Sequence, residues 1–294
     1  MAEPFASVSE ITRAVSTEII IAAGLPRTGW HQSALRPLVW LPAYRFSRLA
    51  AGFDRLWAQQ GLTAAARWLL LHLVDGVVGI GAQTLPRNGP LVVVTNHPGS
   101  YDGLAIITLL NRDDLKIIVS DVPFMRTLRA SAAHMIFVSH DPYHRMAALR
   151  EGVRHLESGG SLLVFASAQV DPDPALLPGA HAALERWSGS VPLLLRRVPE
   201  AQLVVTIVSG VLAPACFYHP LARLRKEQRL RQFSAEFLQV GQQVVFGRRF
   251  CLTPIVRFAP PVTGEQLGTG TASDLQPAII ARARALLSDV PAAP

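Results

Sequence analysis

His97 and Asp102 are the residues whose types and spacing could carry chemistry. They lie in LVVVTNHPGSYDGL, residues 91–104. The β-branched run Val92–Val94 predicts a strand, Asn96-His97-Pro98-Gly99 a polar turn, and the apolar run from Tyr101 a helix. That order puts His97 at the carboxyl end of the strand and Asp102 in the first turn of the helix. Five residues across a sharp turn can bring a carboxylate back against an imidazole. Such a pair turns an alcohol into a nucleophile: the imidazole takes the proton, and the carboxylate fixes and stabilises the imidazolium that results. The free N–H groups of a helix amino terminus also favour negative charge nearby. The competing reading is that His97 only packs and Asp102 only caps. Nine His and eleven Asp in 294 residues give about 0.3 chance matches to His-x4-Asp. The weight of the match therefore lies in its setting: strand before, Pro-Gly turn inside, helix after.

The rest of the chain must position these groups. Residues 1–88 read as a helical amino-terminal region. Ser9–Ala23, Leu35–Trp57 and Ala64–Val78 each carry apolar residues at helical spacing, and the second mixes Trp40, Phe46, Phe53 and Trp57 with Arg36, Arg45, Arg48 and Arg55. Bulky aromatics beside arginines suit a helix lying in a membrane interface, and equally an amphipathic helix packed on a core. Residues 89–294 alternate strands and helices, which predicts an α/β domain. Strands are expected at Leu91–Thr95, Leu115–Ser120, Met135–Ser139, Ser161–Phe165, Val191–Leu195, Leu203–Val208 and Pro254–Ala259. Helices are expected at Tyr101–Leu110, Tyr143–Glu157, Gly179–Trp187, within the basic stretch 219–249, and at Asp274–Leu287 with Ser273 as its cap. The fold class expected is a mixed sheet of six or seven strands flanked by helices on both faces.

Composition narrows the function classes. Half the residues are hydrophobic and mean hydropathy is +0.28, yet no run supplies the ~20 uncharged apolar residues of a spanning helix. Trp68–Ala82 is broken by His72 and Asp75, and Leu203–Tyr218 is short and contains Pro214. The start MAEPFASVSE has no basic segment of the kind a secretory signal carries. Two cysteines, Cys216 and Cys251, make no disulfide framework, which fits reduced thiols in the cytoplasm. A net charge of +7, with Lys116 and Lys226 the only lysines, points to anionic partners. Nucleic acid is not expected among them, for want of a zinc-finger spacing, an aromatic-basic signature or a long basic tract.

Residues 89–215 resemble the glycerolipid acyltransferases, the family of glycerol-3-phosphate and lysophosphatidate acyltransferases. Its first block, Asn-His-x4-Asp after a hydrophobic strand, is matched by Asn96-His97-Pro98-Gly99-Ser100-Tyr101-Asp102. Its second, an apolar strand ending near an Arg, falls on Ile136-Phe137-Val138-Ser139-His140, with His140 in the cation's place and Arg145 as a possible replacement. Its third, Phe-Pro-Glu-Gly-Thr-Arg, falls on Phe165-Ala166-Ser167-Ala168-Gln169 after the turn Ser158-Gly159-Gly160, without the Glu or the Arg. Gly179 fits the start of the next helix, and Leu203–Gly210 the fourth, apolar block.

The resemblance implies transfer of a fatty acyl group from acyl-CoA or an acyl-carrier protein to a lipid hydroxyl. His97 would be the general base and Asp102 its orienter. Asn96, Pro98, Gly99, Ser100, Tyr101, His140, Arg145, Ser167, Gln169 and Gly179 would line the substrate. Backbone donors at Pro98–Ser100 would meet the thioester oxyanion, and neither a metal nor a cofactor is required. Missing cations in the second and third blocks imply an acceptor other than glycerol phosphate: a lysophospholipid, a glycolipid or a neutral alcohol. The implied location is cytoplasmic, peripheral on the inner face of the membrane. A second reading is a lipid-binding or scaffold protein on the same fold, with catalysis lost.

His140-Asp141-x2-His144, with His134 nearby, suits a metal only on a helix that starts before His140, and Pro142 opposes that. Gly79-x-Gly81 lacks the third glycine of a dinucleotide loop, and no Gly-x-Ser-x-Gly elbow is present. Asp171 and Asp173, flanked by prolines, read as a solvated loop.

Overall fold

Leu91, Val92, Val93 and Val94 are all fully buried, as expected of a strand covered on both faces. Burial of each such side chain contributes about 1.5–3 kcal/mol. In the computed structural model, which describes residues 5–139, 141–268 and 272–291, this strand stands at the middle of a mixed sheet. The strands are β1 (Val78–Ile80), β2 (Leu91–Thr95), β3 (Leu115–Ser120), β4 (Met135–Val138), β5 (Ser161–Phe165), β6 (Gln202–Ser209), β7 (Ile255–Phe258) and β8 (Val262–Thr263). They lie in the order β1-β7-β6-β2-β5-β3-β4, with β8 beside β6. β6, β2, β5, β3 and β4 are mutually parallel, whereas β7 and β8 run antiparallel to β6.

The chain packs as two compact units. One comprises the described residues of Met1–Asp75, Val122–Ala133 and Leu212–Leu252; the other those of Gly76–Asp121, His134–Val211 and Thr253–Pro294. The first unit is helical. It holds α1 (Val8–Ala22), α2 (Trp30–Gln60) and α3 (Leu62–Leu73), besides further helices later in the chain. Ile11, Val15, Ala43, Ala50, Ala51 and Leu128 form one of its cores. Asp54, buried on α2, accepts from the N–H of Ser131 at 2.8 Å and from its hydroxyl at 2.7 Å.

The second unit contains the sheet. α4 (Asp102–Leu110) follows β2. α5 (Pro123–Thr127) and α6 (Arg129–Ala132) belong to the first unit. α7 (Pro142–Glu157) precedes β5, and α8 (Ala180–Ala183) and α9 (Ser190–Arg197) lie between β5 and β6. α10 (Pro214–Phe217), α11 (Pro220–Arg223) and α12 (Gln228–Phe246) are again in the first unit. α13 (Gly264–Leu267) and α14 (Ala272–Ser288) close the chain. A core of Val92, Val94, Leu156, Leu162, Leu194, Leu203, Val205 and Ile279 ties β2, β5 and β6 to α7, α9 and α14.

Several expectations are corrected. Val191–Leu195 is not a strand but part of α9. The buried Val191, Leu194 and Leu195 of the helix and Val198 at its cap recur at i, i+3, i+4 and i+7 while Leu193 is exposed, and that is helical periodicity. The helix expected over Gly179–Trp187 is the single turn α8 followed by a 3₁₀ turn, Leu184–Arg186. The helix expected to reach Val78 stops at Leu73, because Val78 pairs with Ile255 in the sheet. With β1 and β8 added the sheet has eight strands; both are too short to show a pattern. α14 begins at Ala272, and the side chain of Ser273 lies outside the described residues. Both cysteines are free, and burial pushes the Cys216 thiol up to about 11.

Candidate active site

Because β6, β2 and β5 run parallel as neighbours, their carboxyl ends share one edge of the sheet, where open parallel sheets bind ligands. That edge carries Asn96-His97 after β2, Ala166-Ser167 after β5 and Gly210-Val211 after β6. Asn96 is buried. Its amide donates to the carbonyl of Val208 at 2.9 Å and accepts from the N–H of Val208 at 2.8 Å. Asn96 thus holds β2 to β6 immediately before the base candidate.

The turn then brings the two expected groups together. His97 Nδ1 lies 2.7 Å from Asp102 Oδ2, with the His side chain 33% exposed and the Asp side chain 3%. Asp102 stands at the start of α4, where free N–H groups favour its charge. Its Oδ2 also accepts from the N–H of Gly99 at 3.3 Å, and its Oδ1 from the N–H of Gly103 at 2.5 Å. These donors fix the orientation of the carboxylate toward the ring. Phe165, the last residue of β5, packs against the imidazole with ring centroids 4.6 Å apart.

Asp171 and Asp173 are not solvated; they are almost completely buried. Asp171 Oδ2 accepts from the backbone N–H of His97 at 3.0 Å and from the hydroxyl of Ser167 at 2.9 Å. The N–H of Asp171 donates to the carbonyl of His97 at 2.8 Å. Arg186 reaches Asp171 Oδ1 at 3.4 Å. Burial pushes the Asp171 carboxyl above its ordinary range; the His97 N–H, the Ser167 hydroxyl and the nearby His97 and Arg186 charges oppose that shift. Asp173 accepts from the N–H groups of Gly210 and Val211, each at 2.8 Å, and so pins the loop to the end of β6. Proline and aspartate composition resembles a surface loop. The N–H groups of His97 after β2 and of Gly210 and Val211 after β6, with the Ser167 hydroxyl after β5, meet these buried carboxylates.

The remaining expected residues are distributed unevenly. Pro98, Gly99 and Tyr101 are buried in the turn, and Ser100 is exposed. Ser167 is buried, and its hydroxyl touches the Gln169 carbonyl at 2.8 Å besides Asp171. Gln169 and Gly179 are exposed, the latter with φ +94 at the start of α8. Arg145 is exposed on α7, which follows β4. That strand stands three positions from β2, about 14 Å across the sheet. His140 lies outside the described residues. Among the described residues no three His, Cys, Asp or Glu side chains gather as a metal site. A groove of about 680 Å³, lined by Met146, Leu149, Arg150, Val153, Arg154 and Arg197, runs beside α7 and includes no residue of the His97 turn.

Residues 77–191, which hold the His97 turn and the Asp171 loop, match the family model described as Acyltransferase. Among solved structures the chain is similar to the 1-acyl-sn-glycerophosphate (LPA) acyltransferase PlsC from Thermotoga maritima. The two share 12% identity over 96% of each chain, with a TM-score of 0.46. No curated protein matches the chain.

Proposed function

We propose that the chain is an O-acyltransferase that moves a fatty acyl group from an acyl thioester to a hydroxyl of a lysophospholipid or related lipid, a reading supported by the match of residues 77–191 to the family model described as Acyltransferase. The observation that carries the reading is the 2.7 Å contact between a partly exposed His97 and a buried Asp102. With Nδ1–H donating to Asp102, Nε2 is the nitrogen that takes the acceptor's proton as its oxygen attacks the thioester carbonyl. The C–S bond then breaks, the departing sulfur recovers the proton from Nε2, and an ester and a thiol leave. Acyl-CoA or an acyl-carrier protein enters as co-substrate, and the transfer as written needs neither metal nor cofactor. Within the Pro98–Ser100 turn Pro98 has no N–H and that of Gly99 is turned to Asp102, so neither of these two serves the oxyanion. The third-block turn offers Ser167 and Gln169 rather than a guanidinium, which favours an acceptor without a phosphomonoester.

Attachment to the inner face of an anionic membrane is part of the same proposal. In the helical unit Trp30, Leu38, Trp40 and Leu41 are exposed along α2. Tyr218, Leu221 and Leu224 are exposed near α11, beside Arg223, Arg225, Lys226 and Arg229. Apolar groups collared by cations suit an interfacial surface. Among the described residues no helix is long and apolar enough to cross a membrane. Co-sedimentation with anionic vesicles at low salt, lost at high salt, is the expected result; no binding at low salt would remove this part.

The test of transfer is mass spectrometry of product from acyl-CoA, or acyl-carrier protein, with a panel of lysophospholipids, glycolipids and long-chain alcohols. Product with the wild-type chain and none with His97→Ala supports the proposal. Undiminished turnover by His97→Ala refutes the assigned base, and tight lipid binding without product would mark a scaffold.

A further inference from the structure

We propose that Asp171 is a positioning residue for His97, clamping both peptide groups of the base so that its imidazole stays in reach of Asp102 and the acceptor hydroxyl. The inference rests on the reading of His97 as general base. Two loops from neighbouring strands hold that one residue. Asp102 takes the ring at Nδ1. Asp171 takes the main chain twice, its carboxylate accepting the His97 N–H at 3.0 Å and its own N–H donating to the His97 carbonyl at 2.8 Å.

The imidazole hangs from the Cα between those two peptide groups, so a rotation of the backbone is carried out to Nε2. A misplacement of about 1 Å at a reacting atom costs on the order of a hundredfold in rate. The clamp is itself braced. Ser167 donates to the same carboxylate oxygen at 2.9 Å, and Asp173 ties the loop to Gly210 and Val211.

Stability alone does not explain a carboxylate here. Burial raises the folded pKa of Asp171 above its ordinary value. The native state therefore binds more proton than the unfolded chain between those two values. Stability falls as pH rises through that window. An asparagine at the same place would accept the His97 N–H without that loss. The negative field of Asp171 beside the imidazole favours the imidazolium that forms during proton transfer.

The experiment compares Asp171→Ala, Asp171→Asn and wild type. With the acceptor found for the wild type, Asp171→Ala should lower kcat about 10–100-fold with acceptor KM changed less than about twofold. Asp171→Asn should recover most of kcat, because a carbonyl oxygen again meets the His97 N–H. It should also shift the acid limb of kcat/KM to lower pH, since the neighbouring negative charge is gone. Its melting temperature should equal or exceed that of wild type at neutral pH, and the difference should widen as pH rises from acid.

A second readout needs no turnover. The ring Nδ1 proton of His97, followed by NMR, should be protected in wild type and Asp171→Asn and broadened by exchange in Asp171→Ala. Wild-type kcat in folded Asp171→Ala would overturn the proposal. So would loss of activity only in proportion to loss of folded protein, with the ring proton unchanged. If the wild type makes no product from any acceptor, the acyl-transfer reading fails while the NMR comparison still decides the clamp.

Discussion

Two loops leave neighbouring parallel strands at the same edge of the sheet, and they hold their charges differently. In the loop after β2 the pair is local: His97 and Asp102 are five residues apart, and the carboxylate draws its other donors from Gly99 and Gly103. In the loop after β5 the side chains of the turn, Ser167 and Gln169, are uncharged. The carboxylate that matters, Asp171, reaches a residue 74 positions away in the chain. On the proposed reading the first loop presents a group to substrate, and the second holds that group from behind.

The difference is broken most directly by removing what only the first loop supplies. His97→Ala should lower kcat about a thousandfold or more, with melting temperature close to wild type, because the loop is held through the main chain. Steady-state turnover beside a thermal melt checks both halves. Asp102→Asn should lower kcat about 10²–10³-fold, since an amide can hold the ring in the wrong tautomer. It should not be silent in stability. The carboxylate also accepts from Gly99 and Gly103, so a loss of about 1–2 kcal/mol is expected. A stability loss with normal turnover would reduce Asp102 to a helix cap.

The strand limits of β2, β3 and β5 were legible from their apolar runs, and so was the contact of His97 with Asp102, because each depends on residues near in sequence. The helical character of α9 was present in the spacing of Val191, Leu194, Leu195 and Val198, but a short apolar run bounded by glycine also fits a buried strand. The roles of Asp171 and Asp173 were not legible. A carboxylate among prolines and glycines reads as solvated until three strand ends are brought together. The gathering of 122–133 and 212–252 with the amino-terminal helices likewise depends on packing between segments far apart in the chain.

The seam between β2 and β6 offers a third contrast, between holding the sheet and doing chemistry. Asn96→Ala would leave the N–H and carbonyl of Val208 unsatisfied in a buried site. The expected cost is about 2–4 kcal/mol, read as a shift in the denaturant midpoint. Folded protein should keep most of its activity at low temperature. A kcat loss matching that of His97→Ala in folded protein would instead move Asn96 onto the substrate.

The smallest effect sharpens the comparison from the side of the second loop. Ala168 sits in its turn with φ +51, in the left-handed region, where a Cβ costs about 1 kcal/mol or somewhat more. Ala168→Gly removes that cost in the folded state but gives the unfolded chain more freedom, an opposing term of about 0.4–1 kcal/mol. The balance should favour the variant by less than about 1 kcal/mol, a rise of no more than about 2–3 °C in melting temperature. Turnover should be unchanged, because Ala168 is exposed and the clamp on His97 runs through Ser167 and Asp171. A Gly variant that is clearly less stable would mean that the Ala168 methyl makes a favourable contact outweighing its backbone cost. A clear loss of turnover would mean that rigidity of this turn, and not Asp171 alone, fixes the base.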